Sequence, residues 1–191
     1  MKLLLHLPLF LFITVFPFGS NIHAQIVPEL EISGTFLTTN NANFKGKGGV
    51  GAGINVSFFD DKRINLVVGV NFAVNSFWTN QAGGGKYEPT TAGKGAASSI
   101  CLPILLRYNT SGTTKFIAEL GPALEGALNY YKSYFIAGHG AVGVRFPVGK
   151  DEMIAKAFYH YTPGVVSTDE MNRFQFNASY IGLSVGYRIK R

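Results

Sequence analysis

Between residues 64 and 75 the chain alternates without a break. Ile64, Leu66, Val68, Val70, Phe72 and Val74 hold the even positions, and Asn65, Val67, Gly69, Asn71, Ala73 and Asn75 the odd ones. Side chains of a strand point alternately to its two faces, so this segment predicts a strand with one oily face and one small or polar face. Residues 50–58 repeat the scheme, with Val50, Ala52, Ile54, Val56 and Phe58 against Gly51, Gly53, Asn55 and Ser57. In 116–124, Phe116, Ala118, Leu120 and Leu124 oppose Glu119, Gly121 and Ala123. A helix would gather residues three and four apart, and that period is absent here.

Eight segments of this kind are predicted: 29–37, 48–59, 64–79, 98–109, 115–128, 134–148, 153–162 and 174–189. Their connections alternate in length. The links 60–63, 110–114 and 149–152 are hairpin-sized, whereas 38–47, 80–97, 129–133 and 163–173 are mostly longer and rich in Gly, Asn and Thr. An even number of strands, short turns at one end and longer loops at the other describe an all-β fold, an eight-stranded antiparallel up-and-down transmembrane β-barrel. Both chain ends then lie with the short turns, on the periplasmic side of the outer membrane of a Gram-negative bacterium.

A soluble eight-stranded barrel would share the strand count, and the facing of the side chains separates the two. Eight strands enclose an interior that side chains only just fill, so the bulky apolar faces cannot all point inward. Only 15% of the residues are charged, against roughly 25% in soluble domains, and the opposite faces carry Gly, Ala, Ser and Asn rather than the Lys and Glu of a solvated sheet. With oil outward and small residues inward, both difficulties vanish. Aromatic residues then form two girdles, at the loop ends (Phe77, Trp78, Tyr130, Tyr131, Tyr134, Tyr161, Phe174) and at the turn ends (Phe58, Tyr108, Phe146, Tyr187).

Residues 1–24 read as an export signal. Lys2 supplies the positive start, 3–18 are almost wholly apolar, and Ile22-His23-Ala24 ends on the small residue a signal peptidase takes. Pro8 and Pro17 interrupt the span, which is shorter than the roughly 20 residues a membrane helix needs. The expected domains are therefore a cleaved signal, 1–24, and the barrel, 25–191.

Carrying the alternation along each strand turns Glu31, Arg107, Glu119, Glu125, His139, Arg145, Lys156, His160 and Arg188 inward. Lipid-facing Arg or Lys would cost about 2–4 kcal/mol at the midplane, and buried charges need partners. Arg107, Glu119, Arg145 and Lys156 each lie a few residues from a short turn. They are expected to form a structural charge cluster in the periplasmic half of the lumen, with Glu119 between Arg107 and Arg145. Pro103 and Pro122 are expected at bulges, since a closed barrel has no edge to offer them. On the last strand Phe174, Phe176, Ala178 and Tyr180 are even but Ile181, Leu183, Val185, Tyr187 and Ile189 odd. Either a bulge near Tyr180 restores the register, or the early part stands above the bilayer.

The strand Ile100-Cys101-Leu102-Pro103-Ile104-Leu105-Leu106-Arg107-Tyr108 resembles the proline-containing strand of the PorT-like outer-membrane β-barrel proteins of Bacteroidetes. Phe116 to Pro122 looks like that family's F-Y-x-x-x-G-P, and Gly182 to Arg188 is similar to its closing strand, although this chain ends on Ile189-Lys190-Arg191 rather than on an aromatic residue. The resemblance implies the barrel and no catalytic residue. A few members of the family are linked to protein secretion and gliding machinery.

Other functions leave weaker traces. The 17 Lys and Arg, for a net charge of +6, never run four together, so the basic stripe that nucleic acid requires is missing. Residues 46–51 and 138–143 match G-x-G-x-x-G, but neither opens a helix after a strand, as a dinucleotide site demands. Cys101 is the only cysteine, which excludes an intramolecular disulfide and a multi-cysteine metal centre. No cofactor, metal or catalytic set is expected. An alternative is a lipid-modifying hydrolase or acyltransferase built on His160 at a loop end, with Ser167, Thr168 and Asp169 or Glu170, and with His139 beside it. The preferred expectation is a non-enzymatic barrel embedded in outer-membrane lipid. It would display loops, with 80–97 as the surface for a protein partner, and a filled lumen argues against a pore.

Overall fold

The structure, a computed structural model, describes residues 26–39, 44–79, 93–128, 134–166 and 175–190. The signal segment 1–24, Tyr130, Tyr131, Phe174 and 167–170 lie outside the described residues. Eight strands are present: β1 (Val27–Thr39), β2 (Phe44–Phe58), β3 (Ile64–Thr79), β4 (Gly93–Asn109), β5 (Lys115–Ala127), β6 (Tyr134–Val148), β7 (Asp151–Val166) and β8 (Gln175–Arg188). Each pairs antiparallel with the next, and β8 closes onto β1. Closure leaves no unpaired edge, the condition for a sheet to stand in lipid.

The oily face is on the outside. Ile32, Val50, Leu120, Ile136, Val142 and Leu183 are 63–72% exposed, an arrangement that water would penalise by about 25 cal/mol per Å² of apolar surface and that acyl chains accept. Trp78, Tyr161, Tyr108 and Tyr187 stand on this outer surface toward the two ends. Phe77 does not join them. It is 5% exposed and packs inside the barrel against Leu37, as its odd position on β3 requires.

The strands run further than the sequence pattern suggests. Residues 93–97, expected in the loop, pair with 75–79 of β3, while 44–47 extend β2 and 163–166 extend β7. Gly, Ala and Lys are poor strand formers by themselves, and here the neighbouring ladder carries them.

Neither proline sits at a bulge. The register of β4 with β3 and β5, and of β5 with β6, is unshifted through Pro103 and Pro122. At Pro103 the β3–β4 pairing simply lapses between Ile104 and Cys101 and resumes in step, so a missing N–H is met by omitting a bond, not by inserting a residue. Nor is β8 bulged at Tyr180, because its pairing with β1 is continuous from Ala178 to Arg188. The irregularity belongs to β7, which carries one extra residue between Thr162 and Val165. A second bulge lies on β2, between Gly46 and Gly49.

Candidate functional site: the filled lumen

Four layers of side chains line the interior from the turn end upward. At the mouth, Phe59 takes a left-handed backbone (φ 62°) and the turn closes with Lys62 N donating to Phe59 O at 2.9 Å. This reversal tucks Asp60 beneath the barrel. Asp60 Oδ1 accepts from Arg188 Nη2 at 2.5 Å, Arg145 Nη1 at 3.0 Å and Asn65 Nδ2 at 3.0 Å. Burial alone would raise the Asp60 carboxyl, but the guanidiniums of Arg188 and Arg145 outweigh it and hold it below the ordinary carboxylate range. Glu152 completes the layer, bonded by Arg188 Nη1 at 2.5 Å and by Lys190 Nζ at 2.7 Å.

Arg107 centres the next layer and is 0% exposed. Its Nε donates to Glu119 Oε1 at 2.5 Å, Nη2 to Glu29 Oε2 at 2.9 Å and Nη1 to Ser57 Oγ at 3.1 Å. Lys156 Nζ donates to Glu31 Oε2 at 2.8 Å and Glu119 Oε2 at 3.2 Å. Glu119 therefore lies between Arg107 and Lys156, not between Arg107 and Arg145. Arg145 reaches down to Asp60 instead, with Glu152 3.4 Å from its Nε. Although Arg145 stands opposite Lys115 on the neighbouring strand, its fork finds a carboxylate across the lumen.

Above this layer lies a cavity of about 80 Å³. Gly53, Ala52, Ala73 and Ser33 line one side of it and Glu125, His139, Phe158, His160 and Tyr180 the other. Glu125 accepts from Thr162 Oγ1 at 2.6 Å and from the Tyr180 hydroxyl at 3.2 Å, and it lies 3.1 Å from His160 Nε2. The two histidines meet through their Nδ1 atoms at 3.4 Å, with ring centroids 5.7 Å apart. The two Nδ1 atoms point toward each other, close enough for one N–H to donate to the other nitrogen. A chelated metal would need converging axes, and among the described residues no group of three metal-ligating side chains converges. Thr35 Oγ1 donates to Asn75 Oδ1 at 2.5 Å, and Leu37 packs on Phe77 above.

His160 is thus a lumen residue, 5% exposed, with Nε2 beside Glu125 and Nδ1 beside His139. It does not face the lipid on which a hydrolase or acyltransferase would act. Glu29, Asp60 and Glu152 were missed by sequence reasoning. Glu29 opens the predicted strand 29–37 and shares its parity with Glu31, and Glu152 lies one residue before the predicted strand 153–162 and shares its parity with Lys156, so parity carried to the strand ends finds both; Asp60, in a turn, has no parity to read.

No protein-family profile and no curated protein matches this chain. Solved structures do. Neisserial surface protein A aligns over 87% of this chain and 97% of its own, at 16% identity and a TM-score of 0.56. The outer membrane protein OprG of Pseudomonas aeruginosa (11% identity, 88% and 97% coverage, TM-score 0.48) and Ail, the attachment invasion locus protein of Yersinia pestis (10%, 87% and 99%, 0.48), are also similar. The fold is that of an eight-stranded outer-membrane barrel. Together with the exposed apolar belt, which only acyl chains would tolerate, it places the chain in the outer membrane of a Gram-negative bacterium.

Proposed function

We propose that this barrel is a non-enzymatic anchor that displays its extracellular loops, of the PorT-like kind its strands resemble, as an accessory to a secretion or surface assembly. The observation that carries this reading is the occluded lumen. Two stacked layers of ion pairs around Arg107 and Asp60 fill the periplasmic half, which leaves no aqueous path for a solute. What remains for contact with a partner is the loop end. Strands of 16 and 17 residues at β3 and β4 exceed the roughly 9–11 that cross a bilayer's hydrocarbon core, so their paired loop ends reach past it.

The test uses full-length protein solubilised from outer membrane and a variant lacking 81–91. This deletion spares 93–97, which belong to β4. Specific partners captured by the intact protein and lost with the deletion support the proposal. Identical capture by both removes the loop from it, and steady ion currents in planar bilayers overturn the occluded-lumen argument.

A further inference from the structure

We propose that the outer surface of β2–β4, at the loop end, is a binding site for the phosphate of an acidic lipid headgroup, built from Lys45, Lys47 and Lys94 around Trp78. Directly opposed residues of antiparallel strands point to the same face. Trp78 is opposed by Lys45 on one side and Lys94 on the other, so with neighbouring strands about 4.8 Å apart the two lysines flank the indole roughly 10 Å from each other. Lys47 Nζ lies over the indole, 5.6 Å from the ring centroid. All three lysines and Trp78 are exposed.

The β2 bulge creates this arrangement. Below it the odd residues Gly51, Gly53, Asn55 and Ser57 face the lumen, and an unbroken strand would send Lys45 and Lys47 inward with them. One extra residue between Gly46 and Gly49 reverses the parity. Gly46 then faces in, so close to β1 that a Cβ would stand 1.7 Å from Leu37 O, and both lysines turn outward. A fold that places Arg107, Arg145, Lys156 and Arg188 in ion pairs inside the barrel thus uses a bulge to put these two outside. Among the described residues none of the three lysines has a carboxylate partner within 4 Å.

The position selects the occupant. The cluster shares its face with the apolar belt and sits where that belt ends, at the depth of headgroups. Trp favours that interface, and lysines near an anionic surface each add to the attraction. A soluble anion would have no reason to need the adjoining oil. In an outer membrane the outward leaflet carries phosphorylated glycolipid, whose phosphates offer the complementary charge.

Trp78 is the only tryptophan of the chain, so its emission reports on the site directly. Full-length protein in a maltoside detergent is titrated with diphosphorylated lipid A, with the same lipid after dephosphorylation, and with inorganic phosphate. The expected result is a saturable change in Trp78 emission with the phosphorylated lipid alone. It should weaken with salt and by ~tenfold or more in the Lys45→Gln/Lys47→Gln/Lys94→Gln variant. Circular dichroism checks that this variant is folded; should it not be, Lys94→Gln alone, remote from the bulge, is expected to lose a factor of ~5. Equal binding of the dephosphorylated lipid, undiminished affinity in the folded lysine variants, or the same response to inorganic phosphate overturns the assignment.

Discussion

The two halves of the lumen obey the same alternation and solve different problems. The periplasmic half is packed with long charged side chains whose heads meet in ion pairs: Arg107, Arg145 and Arg188 with Glu29, Glu119, Glu152 and Asp60. The outer half sets a wall in which Ser33, Gly53 and Ala73 alternate with Glu31, Thr35 and Asn71 against a wall of Glu125, His139, His160 and Tyr180, and leaves an open cavity. Both are polar, yet only the first is filled. A narrow barrel can thus be solid where charges neutralise one another and roomy where small residues such as Ser33, Gly53 and Ala73 interrupt one wall, without any change of strand number. Rigidity and occlusion are properties of the lower half, and space belongs to the upper.

The largest effect should come from breaking the lower half at its centre. Arg107→Met takes the central cation from two buried carboxylates, leaving Glu29 with Arg188 at 3.5 Å and Lys156 at 3.7 Å, and Glu119 with Lys156 at 3.2 Å. Removing one partner of a buried set costs about 3–5 kcal/mol, to be read as a lower urea midpoint for the refolded protein in vesicles. A loss below ~1 kcal/mol would mean that water reaches the cluster, and the contrast between the halves would fail.

Next is overpacking. On β6 the lumen-facing Gly143 stands so near β7 that a Cβ would lie 2.2 Å from Ala155 O. Backbone, not a flexible side chain, must give way, so Gly143→Ala is expected to cost about 1–3 kcal/mol in the same unfolding measurement.

Asp60 ties the lower half to pH. Its carboxyl is held below its ordinary value in the fold, so it contributes stability that is complete above the unfolded-state value and fades as pH falls through the folded one. Asp60→Asn should cost about 1–2 kcal/mol at neutral pH, because the amide keeps an oxygen that can accept from the guanidiniums but loses the charge that strengthens those bonds. The gap from the parent should close on acidification. A gap that persists unchanged to strongly acidic pH would show that the carboxylate charge is not what binds Arg145 and Arg188.

How much of this was legible follows from what a period of two can encode. Inward charges on regular strands, such as Arg107, Glu119 and Lys156, follow from parity alone, and so does the oily belt. What parity cannot give is the partner across the lumen. Neighbouring strands suggest Glu119 as the partner of Arg145, whereas long side chains meet across a narrow interior and Asp60, its partner, comes from a turn. Phe77 shows the opposite lapse, since its odd position marked it as inward and its aromatic ring suggested a girdle. Bulges were hardest. Proline at 103 and 122 points to them and the ladder merely skips a bond, while Gly46, Gly48 and Gly49, which do mark one, straddle the boundary between the expected loop 38–47 and the expected strand 48–59.

The smallest effect should come from the upper half, and it is the sharper test for being small. Ala73 lines the cavity opposite Gly51 of β2. Ala73→Val adds two methyl groups where there is space for water rather than backbone. A cavity of about 80 Å³, with Glu125, Ser99 and the histidines to hold them, is large enough for several ordered waters. Valine would displace one or two, gaining apolar contact and losing their hydrogen bonds, so the stability change should stay within about 1 kcal/mol of either sign. Gly143→Ala inserts a single carbon, half as much added volume, yet is expected to cost more. If the order of these two variants is reversed, the cavity is closed in solution and the division into a solid half and a roomy half does not hold.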